Sequence, residues 1–304
     1  MKATRTRLPP WLRKRLSPGE DMQPVLNLLK ELSLRTVCQD ARCPNIAECF
    51  GRGTATFMIL GGVCTRGCTF CAVARGRPAP PEPGEPDRIS EAVRRLGLSH
   101  VVVTSVTRDD LPDGGSGHFA QTIRAVHRDT TATVEVLTPD FKGRLEDVDR
   151  VLDAAPEVFN HNVETVARLY AAVRPQADYG RSLGVLARAA GSPLSPITKS
   201  GLMLGLGEAE DELLAVLADL RRAGCRALTL GQYLAPSAAH RPVAEFVRPE
   251  RFEQLKARAL EMGFEAVASG PFVRSSYKAG RLLAHVMNYR ERRSNGRSGG
   301  KDGV

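Results

Sequence analysis

GTATFMILGGVCTRGCTFC, residues 53–71, decides the fold. Its first half, Thr54–Leu60, is dominated by threonine and large apolar residues and reads as a buried strand. Gly61-Gly62 end that run. Three cysteines follow at C-x3-C-x2-C spacing: Cys64, Cys68 and Cys71. In an α/β barrel, the loop that leaves the end of a strand lies on the catalytic face. Three thiolates on one short loop can meet three irons of a cubane. A [4Fe–4S] cluster normally takes four cysteines, so one iron would stay open for a substrate or cofactor.

Outward from this stretch the chain alternates strand and helix patterns. Val101–Thr104, Thr133–Leu137, Val158–His161, Leu202–Leu206 and Ala227–Leu230 read as further strands. Asp87–Leu96, His118–Arg128, Val163–Ala172, Glu208–Ala223 and Glu250–Met262 carry helical spacing. Six such strands predict a parallel sheet and an incomplete (β/α)6-type α/β barrel over residues 50–265. Residues 1–49 form an N-terminal extension, within which 21–34 read as a helix, and residues 266–304 a C-terminal segment over the barrel mouth.

Zinc competes for the 64–71 loop. It favours C-x2-C pairs with a fourth Cys or His nearby, and no histidine stands near in sequence. A second triplet, Cys38, Cys43 and Cys49, has C-x4-C-x5-C spacing, which fits no common zinc module. Chance placement of two triplets so close together is a poor account, so the second predicts another iron–sulfur cluster, again one ligand short. The seventh cysteine, Cys225, lies where a helix passes into a strand and reads as packing.

Of the 304 residues, 42% are hydrophobic and 25% charged, enough to build a full core. No run of about 20 apolar residues exists, so no membrane span is expected. An apolar export signal is missing, which predicts reduced thiols and a cytoplasmic protein. The net charge of +9 resides in two arms. Residues 1–15 hold six bases and no acid, and 288–304 hold five bases and two acids. The body between is neutral, which argues against a nucleic-acid binder.

C-x3-C-x2-C with an aromatic residue, Phe70, before the last cysteine resembles the signature of the radical S-adenosylmethionine (SAM) superfamily. The pair of triplets resembles the lipoyl synthase family within it, and agreement extends over about residues 35–280. It includes Cys43-Pro44-Asn45, Arg108-Asp109-Asp110-Leu111, Phe159 to Thr165 (FNHNVET), Lys199 to Gly207 (KSGLMLGLG) and Arg274-Ser275-Ser276-Tyr277. Phe50 stands where that family usually has Trp, and Gly62 where Asp is usual. Neither is a ligand.

That resemblance implies two [4Fe–4S] clusters and SAM. Cys64, Cys68 and Cys71 would hold the cluster whose open iron binds SAM, and electron transfer to SAM would yield a 5′-deoxyadenosyl radical. Cys38, Cys43 and Cys49 would hold the auxiliary cluster, with a serine oxygen as fourth ligand: Ser276, or failing that Ser275. Phe70, Ser105, Asn162 and Glu164 are expected near SAM, although Asn162 also fits a helix cap. The implied activity is radical insertion of two sulfurs at C6 and C8 of an octanoyl chain on a carrier-protein lysine, with the auxiliary cluster as sulfur source. The implied partners are octanoylated lipoyl carriers and an electron donor such as ferredoxin or flavodoxin. The chain is expected to act as a monomer.

Overall fold

The computed structural model describes residues 8–14 and 21–298. Of the basic side chains in the two arms, only those of Arg13 and Lys14 are described.

Helices α1 (Gln23–Glu31), α2 (Val37–Asp40) and α3 (Ile46–Gly51) build the N-terminal extension. α1 forms where the sequence predicts it, burying Val25, Leu28 and Leu29 at helical spacing. Thr36 caps α2 by accepting from the Gln39 amide. β1 (Thr56–Ile59) follows. Two short strands, β2 (Val63–Cys64) and β3 (Ala74–Arg75), pair in parallel at the two ends of the loop that carries Cys64, Cys68 and Cys71.

The repeat then runs through α4 (Glu85–Arg95), β4 (His100–Ser105), α5 (Ser116–Asp129), β5 (Thr133–Leu137), α6 (Leu145–Leu152) and β6 (Val158–Asn160). It continues with α7 (Tyr170–Val173), α8 (Tyr179–Ala190), β7 (Ile197–Leu204), α9 (Glu210–Arg222), β8 (Ala227–Gln232) and α10 (Pro249–Glu261). β9 (Ala266–Gly270) and α11 (Ala279–Ser298) close it. Seven strands form one sheet in the order β1-β4-β5-β6-β7-β8-β9, every pair parallel. β1 and β9 are its two edges, so the barrel stays open. Near the β1 edge the extension lies alongside, Met58 donating to the Arg35 carbonyl.

All six expected strands are present. The seventh, β9, is a run of small residues with weak β preference, and the sequence reading leaves it out. β7 starts five residues before the expected Leu202, because its first half carries the buried polar residues Lys199 and Ser200, which hide the strand pattern. The expected helix from Val163 does not begin there: Glu164 bridges to Leu202 in extended company, and α7 starts only at Tyr170. Asn162 therefore caps no helix.

Val101, Val103, Val134, Val136 and Phe159 face the helices and join Phe119, Ile123 and Val148 in one apolar layer. Alternation turns His100, Glu135, Asn160 and Lys199 the other way, into the barrel, where they bond to one another. The C-terminal segment leaves β9 at the mouth and then continues to the opposite end. There Val286 of α11 packs against Val158, Ile197, Ala227 and Ala266, the first residues of four strands. Among the described residues no helix is long and apolar enough to cross a membrane.

Candidate functional site

The 64–71 loop is pinned by neighbours at the C-terminal ends of the strands. Left-handed backbone at Leu60 and Gly61 (φ 67° and 90°) turns the chain out of β1. Thr65 donates twice to the Thr107 carbonyl, through its amide (3.1 Å) and its hydroxyl (2.9 Å). Arg66 forks onto Asp109 (2.7 and 2.9 Å) and reaches Asp140 (2.6 Å). Burial pushes the Asp140 carboxyl up, but the hydrogen bond and charge of Arg66 outweigh that and hold it at about 2. Further along, Gly67 donates to Gln176, Thr69 to the Val173 carbonyl, and Arg241 to the Thr69 carbonyl. His240 Nε2 stands 3.1 Å from the Cys71 carbonyl.

Within this frame the amides of Arg66 and Thr107 both donate to the Cys64 sulfur at 3.4 Å. Burial raises the Cys71 thiol to about 11, and the thiols of Cys68 and Cys64 push it the same way. Cys68 is likewise raised by burial, against the pull of the neighbouring Arg174. Three sulfurs thus share one electrostatic neighbourhood, and metal must displace their protons to bind. Phe70 packs against the apolar layer of Val163, Leu204 and Leu206.

Near the loop lie buried polar atoms without partners among the described residues: Ser105 Oγ, Thr138 Oγ1, His161 Nε2 and Asn162 Oδ1. They come from the ends of β4, β5 and β6, the places where a barrel presents groups to a ligand. Burial lowers His161 to about 4, assisted by the charge of Arg174, so its ring is neutral. Nδ1–H then donates to the Thr138 carbonyl (2.9 Å) and Nε2 is left as an acceptor. Glu164 sits in left-handed backbone (φ 66°), a strained state for a residue with a side chain. Its carboxylate accepts from Asn162 Nδ2 (3.1 Å), and burial raises its pKa. Arg174, beside it, donates to the Asn162 carbonyl (2.9 Å). Sequence reasoning missed Arg174 and Thr138, since nothing in their local pattern separates them from surface and turn residues.

The triplet Cys38, Cys43 and Cys49 is assembled differently. Cys38 lies on α2, Cys43 on the turn after left-handed Arg42 (φ 52°), and Cys49 on α3. All three line a cavity of about 460 Å³, together with His100, Arg274 and Ser276. Burial raises the Cys49 thiol to about 11, with Cys38 and Cys43 adding to the rise. Ser275 faces elsewhere: its Oγ accepts from Asn162 Nδ2 at 2.5 Å. The 271–278 strap that carries both serines is bound along its length. Gln232 donates to the Pro271 carbonyl and Asn45 Nδ2 to that of Phe272 (2.7 Å). Gly231 lacks a side chain where the Val273 carbonyl packs on it, so any Cβ there would displace the strap. Tyr277 OH donates to both oxygens of Glu48 (3.0 and 3.1 Å), which also pairs with Lys14 (2.7 Å), Arg52 (3.4 Å) and Lys278 (3.6 Å).

Among the described residues no group of three or more Cys, His, Asp or Glu is gathered tightly enough for a single metal ion. Three thiols lie on the single short loop 64–71 and three line one cavity at 38–49, thiol-rich donor sets of the kind that [4Fe–4S] clusters take. Amide hydrogen bonds to a ligating sulfur are also a usual feature of cluster sites. Cys225 is fully buried, its thiol directed at the Ala227 carbonyl (3.2 Å), and serves packing as the sequence suggests.

Comparison with known proteins finds relatives that span nearly the whole chain. A family model described as the radical SAM superfamily matches residues 58–230, and one described as the N-terminal domain of lipoyl synthase matches residues 1–43. Lipoyl synthase of Geobacter metallireducens is 58% identical over 281 residues, covering 91% of this chain and 98% of its own. That of Methylococcus capsulatus is 55% identical, covering 92% and 88%. Solved structures share the fold at low identity. HydG, a maturase of the [FeFe]-hydrogenase, aligns at TM-score 0.55 and 14% identity over 90% of this chain and 78% of its own. Methylornithine synthase aligns at 0.51 and 12%, over 86% and 85%. With more than half its relatives' sequence and nearly all their length in common, the chain belongs to the lipoyl synthase family of the radical SAM superfamily.

Proposed function

We propose that this chain inserts two sulfur atoms at C6 and C8 of an octanoyl group carried on a protein lysine, with Cys64, Cys68 and Cys71 holding a [4Fe–4S] cluster that leaves one iron free for SAM. When bound, this cluster and SAM supply hydrogen abstraction from an unactivated C–H bond. The chain's own residues bind, orient and shield. Ser105, Asn162 and Glu164, joined by Thr138 and Arg174, offer SAM hydrogen-bonding groups that have unfilled capacity or buried charge. Phe70 and the apolar layer beneath it keep water from the loop.

The sulfur donor is a second [4Fe–4S] cluster, consumed as a substrate and held by Cys38, Cys43, Cys49 and Ser276. One observation supports this most: a serine from the far end of the chain lines the same cavity as all three cysteines. A hard alkoxide is an uncommon partner for cluster iron, so Ser276 is the bond that gives way when the cluster is dismantled. Ser275, engaged with Asn162, is the poorer candidate.

In this reading residues 1–49 are the donor-cluster extension, 50–265 the barrel with β9 added beyond it, and 266–304 the closing segment. The protein works as a cytoplasmic monomer, drawing electrons from a ferredoxin or flavodoxin and docking an octanoylated lipoyl carrier. The test is an anaerobic single turnover on an octanoyl-lysine peptide, scored by mass. Two added sulfurs are expected. Hydrogen abstraction without sulfur gain would overturn the reading.

A further inference from the structure

Ser275 and Ser276 are adjacent, yet their side chains serve different centres. Ser275 Oγ joins Asn162 at the SAM side, while Ser276 lines the three-cysteine cavity. The backbone between them is gripped from inside the barrel. Lys199 Nζ donates to the Ser275 carbonyl at 2.6 Å and to both oxygens of Glu135 at 2.7 and 3.0 Å. Those three bonds use all three ammonium donors. Glu135 in turn accepts from Asn160 Nδ2 (3.0 Å) and stands 3.7 Å from His100 Nε2.

Both charged side chains are 1% exposed. A buried ion pair is poor evidence of stability for its own sake, because apolar residues of the same volume usually do as well. What an apolar pair could not do is hold a carbonyl 76 residues away in sequence. The peptide unit is planar, so fixing the Ser275 oxygen fixes the Ser276 Cα.

We propose that Lys199 is a positioning residue for the sulfur-donor site: pinned by Glu135, its ammonium holds the Ser275 carbonyl and thereby sets where the Ser276 hydroxyl meets the cavity. This rests on the reading of Cys38, Cys43, Cys49 and Ser276 given above. Lys199 touches neither donor nor acceptor carbon. It acts through the strap.

The test uses full-length protein with Lys199→Met alone and with Lys199→Met/Glu135→Leu, which removes both charges and leaves none unpaired. Hydrogen exchange of the metal-free protein reads the strap. The Tyr277 and Ala279 amides, bonded within their turn to the carbonyls of Arg274 and Ser276, should exchange about tenfold faster or more, with the 64–71 loop unchanged. Electron paramagnetic resonance reads the donor site in a background with Cys64, Cys68 and Cys71 all changed to Ala. After reconstitution and reduction, the spectrum should shift towards that of Ser276→Ala, with iron steady at about four per chain. Should Lys199→Met fail to fold, the double variant decides. Wild-type exchange and a wild-type spectrum in the double variant would overturn the inference. A background protein that takes up no iron would instead overturn the cluster reading, and exchange alone would then decide whether Lys199 holds the strap.

Discussion

The two cysteine trios share an element but not an architecture. Cys64, Cys68 and Cys71 occupy one eight-residue loop, fixed by the ends of neighbouring strands and by the buried fork from Arg66 to Asp109 and Asp140. Cys38 and Cys49 sit on short helices outside the sheet and Cys43 on the turn between them, and their cavity is completed only when the strap arrives from the other end of the chain. Its anchor, Glu48 to Tyr277, spans 229 residues. The first arrangement suits a cofactor that must persist. The second, which in the proposed function serves a donor that comes apart, is closed by a strap held both by the partly exposed hub at Glu48 and by the buried Lys199.

The largest effects should separate the trios by chemistry. Cys68→Ala should abolish both hydrogen abstraction and sulfur insertion, with iron falling from about eight to about four per chain. Ser276→Cys should keep about eight irons and continue to form 5′-deoxyadenosine while sulfur insertion, followed by mass, stops. Normal turnover by Ser276→Cys would erase the contrast, since a thiolate would then serve as well as the alkoxide.

The same contrast explains what could be read from sequence. Both trios are legible because their cysteines recur at short spacings, and the six strands because apolar runs alternate with helical ones. Most of the setting of Cys38, Cys43 and Cys49 is not. The Ser276 assignment came from resemblance alone, since no local pattern links position 276 to position 38. β9 is too small in its side chains to announce itself, and β7 was clipped because Lys199 and Ser200 interrupt its apolar run. Arg174 and Thr138 became visible only when the fold brought them beside Asn162 and His161. In each case the missing information was tertiary contact, which propensity does not carry.

The two ion hubs sharpen the comparison at intermediate size. Asp140 is fully shielded, whereas the Glu48 hub relies on Lys14, Arg52 and Lys278, all partly exposed. Asp140→Asn should cost about 3 kcal/mol at neutral pH, as for breaking a buried pair. Glu48→Gln should cost about 1 kcal/mol or less. The pH dependence has a fixed sign. The native pKa of Asp140, about 2, lies below its unfolded value, so its stabilisation is present above pH ~4 and is lost as pH falls through about 2. The gap between wild type and Asp140→Asn in unfolding free energy, read from urea titrations, should therefore narrow by roughly 2 kcal/mol between pH 5 and pH 2. A costlier Glu48→Gln would mean that the strap, and not the barrel, carries the more rigid hub.

The smallest effect on stability should come from Ser105, and that smallness is the point. Its hydroxyl is buried at the end of β4 with no partner among the described residues. Deleting it removes no intramolecular hydrogen bond and relieves an unsatisfied group. Ser105→Ala should accordingly leave the melting temperature of the metal-free protein within about 1 °C of wild type. If the hydroxyl is kept for SAM, the reconstituted variant should bind SAM some three- to tenfold more weakly, the worth of roughly one hydrogen bond. Calorimetric titration with SAM measures this directly. A variant that melts several degrees lower and binds SAM normally would make Ser105 a packing residue, and the orphaned polar atoms at the strand ends would lose their claim as the SAM contact.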